Sequence, residues 1–226
     1  AAQGIVSGIN AARFVKDLEP IIFERESSYI GTLIDDLVTK EMNEPYRMMT
    51  SRSEYRLTLR QDNADQRLTP LGYEIGLVDD YRWKVFNEKM QIMKNEKERL
   101  SKVRIQPSEE VDNILAKYGE KIEAHMTLAD LLKRPGVNYD CIKELSPCVI
   151  SQSYDFEIET EIKYEGYINR QLLQISQQDK FDKIKIPTDL DFNSLIHLSK
   201  EAREKLNKIQ PITIGQASRI GGVSPA

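Results

Sequence analysis

From Asp79 to about residue 103 the chain contains no glycine and no proline, and its apolar residues recur at helical spacing. Trp83, Phe86, Met90, Met93 and Leu100 share one broad face, against Lys84, Glu88, Lys94, Glu96, Lys97 and Glu98 on the other. An amphipathic helix of that length needs other helices or a sheet to cover its stripe, and the surrounding punctuation supplies helices. Thr69 before Pro70 predicts a helix start and Gly76 a stop; Pro107-Ser108 opens another that Gly119 ends. Thr127 with Asp130 caps a short helix before Arg134-Pro135-Gly136, and residues 154–182 read as a second long helix, with a strand as the minority option in FEIETEIKY. Ser199 and Pro211 bound a helix over 199–209, and Thr213 with Gln216 forms a capping box for 213–220 before Gly221-Gly222.

Before the long helix, Ile5, Ile9, Ala12 and Val15 predict a buried helix over 1–17, with Gly4 and Gly8 offering close approach, and YIGTLIDDLVTK from Ser28 a short second one. NEPYRMM then reads as extended. The expected fold is mainly α: a bundle-like C-terminal helical domain over 105–226, a connecting segment over 44–104, and a leading piece over 1–43.

With 40% hydrophobic and 30% charged residues and a net charge of −4, the composition is that of an ordinary globular protein. No apolar run approaches the ~20 residues that span a bilayer, and AAQGIVSGINAARF lacks the pattern of an export signal, so a cytoplasmic protein with no membrane partner is expected. Cys141 and Cys148 read as free thiols, because with His125 and His197 they form no recognisable zinc spacing. Neither histidine stands near a carboxylate constellation that would make it catalytic.

Charge is uneven. Residues 1–43 carry a net −3, 44–104 a net +3 and 105–226 a net −4. Within the basic part, EPYRMMTSRSEYRLTLRQDNADQRL holds Arg47, Arg52, Arg56, Arg60 and Arg67 and no lysine. Planar guanidinium forks suit phosphate or carboxylate, so these five are the candidate RNA-binding residues. Ser51 and Glu54 form a capping box that favours helix, while Tyr55, Leu57 and Leu59 alternate as in a strand. Arg52, Arg56 and Arg60 share a face in both. Tyr46 and Tyr55 would offer stacking surfaces to unpaired bases. The plain alternative pairs the arginines with Glu44, Glu54, Asp62 and Asp65 in a structural network. In KYEGY, Lys163, Tyr164, Tyr167 and Arg170 would suit RNA, but Gly166 favours close helix packing with half-buried tyrosines.

The stretch from Asn43 to Trp83 resembles the GidA family, also called MnmG, the tRNA uridine 5-carboxymethylaminomethyl modification enzymes. AAQGIVSGINAA, YIGTLIDDLVTK, KYEGYINRQ and PITIGQASRIGGVSPA resemble further family segments in the same order. The resemblance implies FAD, NADH as reductant, a folate one-carbon donor, a wobble-uridine tRNA substrate, a homodimeric full-length protein and the GTPase partner MnmE. It makes residues 1–43 the end of an FAD-binding domain, with Gln3 and Gly4 at a helix N-terminus near the flavin. The sequence contains no G-x-G-x-x-G, so this stretch alone is expected to be catalytically inactive, with no catalytic residues and no metal. The resemblance also places partner docking on the C-terminal helices, at Arg203, Gln216 and Arg219. The competing expectation is a protein-interaction module that binds MnmE and leaves tRNA contacts to other residues.

Overall fold

The computed structural model describes residues 1–40, 45–148 and 152–223. Among them are eleven α-helices, two short 3-10 turns and one two-stranded antiparallel ladder. The chain divides into two compact units: residues 1–60 with 170–226, and residues 61–169. Each has its own core.

The unit of residues 61–169 is built on the long helix seen in the sequence, α4 (Asp80–Lys102), which follows α3 (Ala64–Glu74). Asp79 caps α4 by accepting from the Arg82 N–H, as its position before the periodic run predicts. Met93 and Leu100 on its apolar face join Ile105, Leu115, Leu128, Leu131, Val137, Ile142 and Ile158 in one buried cluster. Truncating any of these leucines to alanine is worth about 2–5 kcal/mol. The cluster is closed by α5 (Glu109–Ala116), α6 (Leu128–Leu132), α7 (Tyr139–Leu145) and α8 (Gln152–Lys163). Ser108 and Thr127 cap α5 and α6 as expected. The ladder, β1 (Arg104–Ile105) with β2 (Met126–Thr127), and α7 carry too few residues for periodicity to reveal them.

Three expectations need correction here. Helix α3 begins at Ala64 and contains Pro70, rather than starting at it. Tertiary bonds hold its first turn: Gln66 donates to Glu157 (3.2 Å) and Glu161 (3.0 Å), and Lys89 joins Asp65 (2.8 Å) to Glu157 (2.7 Å). Its end is as read. Gly76, at φ 80°, closes a turn in which its N–H bonds the Tyr73 carbonyl and the Leu77 N–H bonds that of Gly72. The single helix expected over 154–182 is two, α8 and α9 (Glu165–Lys183), meeting at Tyr164. Tyr164 and Tyr167 are exposed at 46% and 59%, and a Cβ on Gly166 would meet open space, so KYEGY is not a close-packing motif. The division between the two units falls inside α9.

In the unit of residues 1–60 and 170–226, α10 (Lys200–Ile209) and α11 (Ile214–Ser218) are capped by Ser199 and Thr213 as predicted. Gln216 reaches back to the Ile212 N–H rather than to that of Thr213. Ile186, Phe192, Leu206, Ala217 and Ile220 form the core. The same unit contains α1 (Ala2–Val15) and α2 (Tyr29–Thr39), the latter capped by Ser28. Helix α1 is not the buried helix its spacing suggests: none of its residues is buried, and Phe14 and Val15 are about four-fifths exposed. Its apolar positions are real, but α2 alone cannot cover them. Both cysteines are free, and burial pushes the Cys141 thiol up to about 11. No helix among the described residues is long and apolar enough to cross a membrane, and no group of three metal-ligating side chains occurs among them.

Candidate nucleic-acid interface

The arginine-rich segment is neither helix nor strand. A 3-10 turn over Thr50–Arg52 leads into successive turns through Arg60, and the Ser51–Glu54 capping box does not form. A buried charge explains why. Arg25, 5% exposed, donates from Nε and Nη2 to the two oxygens of Glu54 (3.1 and 2.8 Å) and from Nη1 to Asp36 (2.7 Å) and Asp35 (2.9 Å). The same guanidinium reaches the Arg52 carbonyl at 3.4 Å. Glu54 is therefore fixed toward Arg25 and is unavailable to cap a helix. Gln171 adds a second clamp, donating to the Glu54 carbonyl (3.0 Å) and accepting from the Thr58 N–H (2.9 Å).

These clamps decide which side chains turn inward. Ser53, Tyr55, Thr58 and Leu59 are buried, whereas Arg56 is exposed. Tyr46 donates to Asp36 (2.9 Å), and the Arg52 guanidinium lies 5.1 Å from the centre of its ring. Burial, and then the bond to Asp36, push the Tyr46 hydroxyl up to about 12. Burial works against charge on Asp36, but Lys40, Arg25 and Tyr46 outweigh it and hold that carboxyl below its ordinary range. Glu54 is lowered likewise: burial opposes its charge and the bond from Arg25 prevails. Burial also opposes charge on Arg25, yet its bonds to Glu54 and Asp36 hold it above its usual value.

Two of the acids expected to neutralise the stripe are thus engaged elsewhere, Glu54 by Arg25 and Asp65 by Lys89. Glu44 lies outside the described residues. Arg47 and Arg56 are exposed, and among the described residues neither they nor Arg52 makes an ion pair. Arg60 donates to the Leu57 carbonyl (2.8 Å). Arg67 belongs to the other compact unit, on α3, and bonds Asn63 at 3.1 Å. The structure therefore brings Arg52 and Arg56 together on one concave wall with Ser51 and with Lys40, which the sequence did not single out.

The C-terminal candidates are inward-facing. Arg219 pairs with Asp182 (2.9 Å) and Asp35 (3.2 Å), Arg203 donates to the Asn193 carbonyl (3.1 Å), and Gln216 accepts from Ile212 (2.9 Å). The exposed large apolar side chains nearby are Ile196, Ile212 and Ile214. At the start of α1, Gln3 and Gly4 are exposed, no side chain caps the helix, and Ala1 to Gln3 line a shallow concavity with Leu33, Leu37, Tyr46 and Met48.

With this geometry in hand, comparison with known proteins is specific. Residues 80–172 match the family described as the MnmG/GidA tRNA modifying enzyme C-terminal helical domain, and residues 174–226 its C-terminal helical bundle. The chain belongs to the MnmG/GidA family. It is 52% identical, over its whole length, to the tRNA uridine 5-carboxymethylaminomethyl modification enzyme MnmG of Caldicellulosiruptor saccharolyticus and to that of Synechocystis. It spans 37% and 36% of those relatives, about a third of their length. The structure of Aquifex aeolicus GidA superposes along the whole chain with a TM-score of 0.80 at 41% identity, over 35% of that protein.

Proposed function

We propose that this chain is the tRNA-contacting, partner-docking portion of an FAD-dependent enzyme that installs carboxymethylaminomethyl on the wobble uridine of tRNA. The observation that carries the tRNA reading is the pair Arg52 and Arg56, which make no ion pair among the described residues and stand on a loop whose own carboxylate, Glu54, is held by Arg25. A structural network would have consumed those guanidiniums. Arg47 and Arg60 extend the contact to neighbouring phosphates, and Arg67, on α3, is a candidate RNA contact of its own unit. FAD and NADH belong to the rest of such an enzyme, with the uncapped N–H groups at Gln3 and Gly4 adjoining the flavin, and residues 1–43 closing the FAD-binding domain. Docking of the GTPase MnmE falls to the C-terminal helices. There the exposed Ile196 and Ile212 are better placed than Arg203, Gln216 and Arg219, which are engaged with Asn193, Ile212 and Asp182 inside the fold.

Titrating tRNA against wild type, R47A and R56A in an electrophoretic shift tests the tRNA reading. Weaker binding by both variants, with a shallower dependence on salt, is expected. Unchanged affinity in both would leave the purely protein-binding reading, in which I212D abolishes MnmE association and tRNA contacts lie elsewhere.

A further inference from the structure

The wall shared by Arg52 and Arg56 lines an open concavity of about 430 Å³, a volume in the roughly 300–1,000 Å³ range of small-ligand sites. Its charge is lopsided once internal pairs are discounted. Arg25 and Arg219 line it too, but their charges are met by Asp35, Asp36, Asp182 and Glu54. Lys40 pairs with Asp36 at 2.7 Å and keeps about a third of its side chain exposed. Glu54, the one carboxylate among the lining residues, is gripped from two sides by Arg25. Arg52 and Arg56 have no such partner among the described residues, and the Ser51 hydroxyl is exposed beside them.

We propose that this concavity is a subsite for the phosphate group of one nucleotide, within an RNA strand or free. Arg52 and Arg56 hold its oxygens, the Ser51 hydroxyl donates to it, and Lys40 adds charge at the edge. The proposal rests on the tRNA reading above and narrows it from a basic surface to a single nucleotide. Arg52 is preorganised for the task. Its guanidinium lies 5.1 Å from the centre of the Tyr46 ring, a contact that narrows its freedom, and Arg25 donates to its carbonyl at 3.4 Å. A forked donor fixed in advance loses little rotamer freedom when an anion arrives, so a phosphate, whether the singly charged diester of a strand or a free monoester, competes well with water here.

The experiment uses the intact protein with inorganic pyrophosphate as the probe, against sodium chloride at matched ionic strength, reading the melting temperature. Pyrophosphate is expected to raise it in wild type and equally in R47A, a variant outside the concavity, and to lose that effect in R56Q and S51A. Arg56 is exposed and makes no hydrogen bond or ion pair among the described residues, so R56Q keeps the fold. Equal stabilisation of wild type and R56Q overturns the subsite even if R47A weakens tRNA binding, in which case the broader tRNA reading stands alone. If R56Q loses the pyrophosphate effect and also lowers the salt slope of tRNA binding by about one, the phosphate belongs to RNA. If the pyrophosphate effect is lost while tRNA affinity is unchanged in R56Q and R47A, the subsite is upheld, the tRNA reading fails, and uridine monophosphate should stabilise wild type but not R56Q.

Discussion

Replacing Arg25 with methionine should remove more stability than any surface change in this chain. The side chain is 5% exposed and neutralises Asp36, which is fully buried, together with Asp35 and Glu54, at 2.7, 2.9 and 2.8 Å. Methionine fills most of the volume but leaves buried Asp36 to Lys40 and Tyr46 and Asp35 to Arg219, and takes the guanidinium from Glu54; breaking such a buried pair is worth about 3–5 kcal/mol. At ~2–4 °C per kcal/mol for a protein of this size, the melting temperature should fall by about 6–20 °C. The deficit should also depend on pH. Asp36 and Glu54 are held below their ordinary carboxyl values, so their stabilising contribution is present above the unfolded value near pH 4 and is lost as pH falls through the lower folded value. The gap between wild type and R25M should therefore be widest at neutral pH and close below about pH 4. Denaturant titration followed by circular dichroism at pH 7 and pH 3.5 measures both, and R25M/D36N should recover part of the loss because the buried Asp36 charge is gone. A loss under 1 kcal/mol at pH 7, or strict additivity in the double variant, would show that Arg25 is not the hub described.

Three further outcomes are expected. Gly31→Ala in α2 drives its methyl into the carbonyls of Phe23 and Glu24, backbone that cannot swing away, and should cost about 1–3 kcal/mol by chemical denaturation. Tyr139→Phe removes the hydroxyl that donates to buried Glu96 at 2.5 Å and leaves that carboxylate to Arg99; a loss of about 1–3 kcal/mol is expected in the same assay. Burial, together with Glu24, Asp179 and Asp182, pushes the Glu26 carboxyl up, so its folded form holds a proton more tightly than the unfolded chain does. Its contribution to stability therefore declines as pH rises from the unfolded carboxyl value through the folded one, and E26Q should melt higher than wild type at pH 7 and lose that advantage near pH 4.

Helix positions were legible where the signal is local. Asp79, Ser108, Thr127, Ser199 and Thr213 each accept from the N–H three residues on, and each of these caps is written in the sequence as a short polar side chain before an apolar period. Gly76 stops α3 for a similarly local reason, its positive φ. Pro70 misled, because the bonds that carry α3 back to Ala64 come from Lys89, Glu157 and Glu161, distant in sequence. The arginine cluster could be read as chemistry but not as geometry.

What the residues determined alone is therefore the helical class, the main caps and the concentration of guanidinium in one segment, since each depends on neighbours within a few positions. Only the tertiary structure decided that Glu54 serves Arg25, that Tyr55 and Leu59 turn inward while Arg56 turns out, and that Lys40 joins the same wall. Those outcomes depend on desolvation: Arg25 enters a dry interior only with carboxylates at hand, and the nearest sets, at residues 35–36 and at 54, come together only when the chain folds.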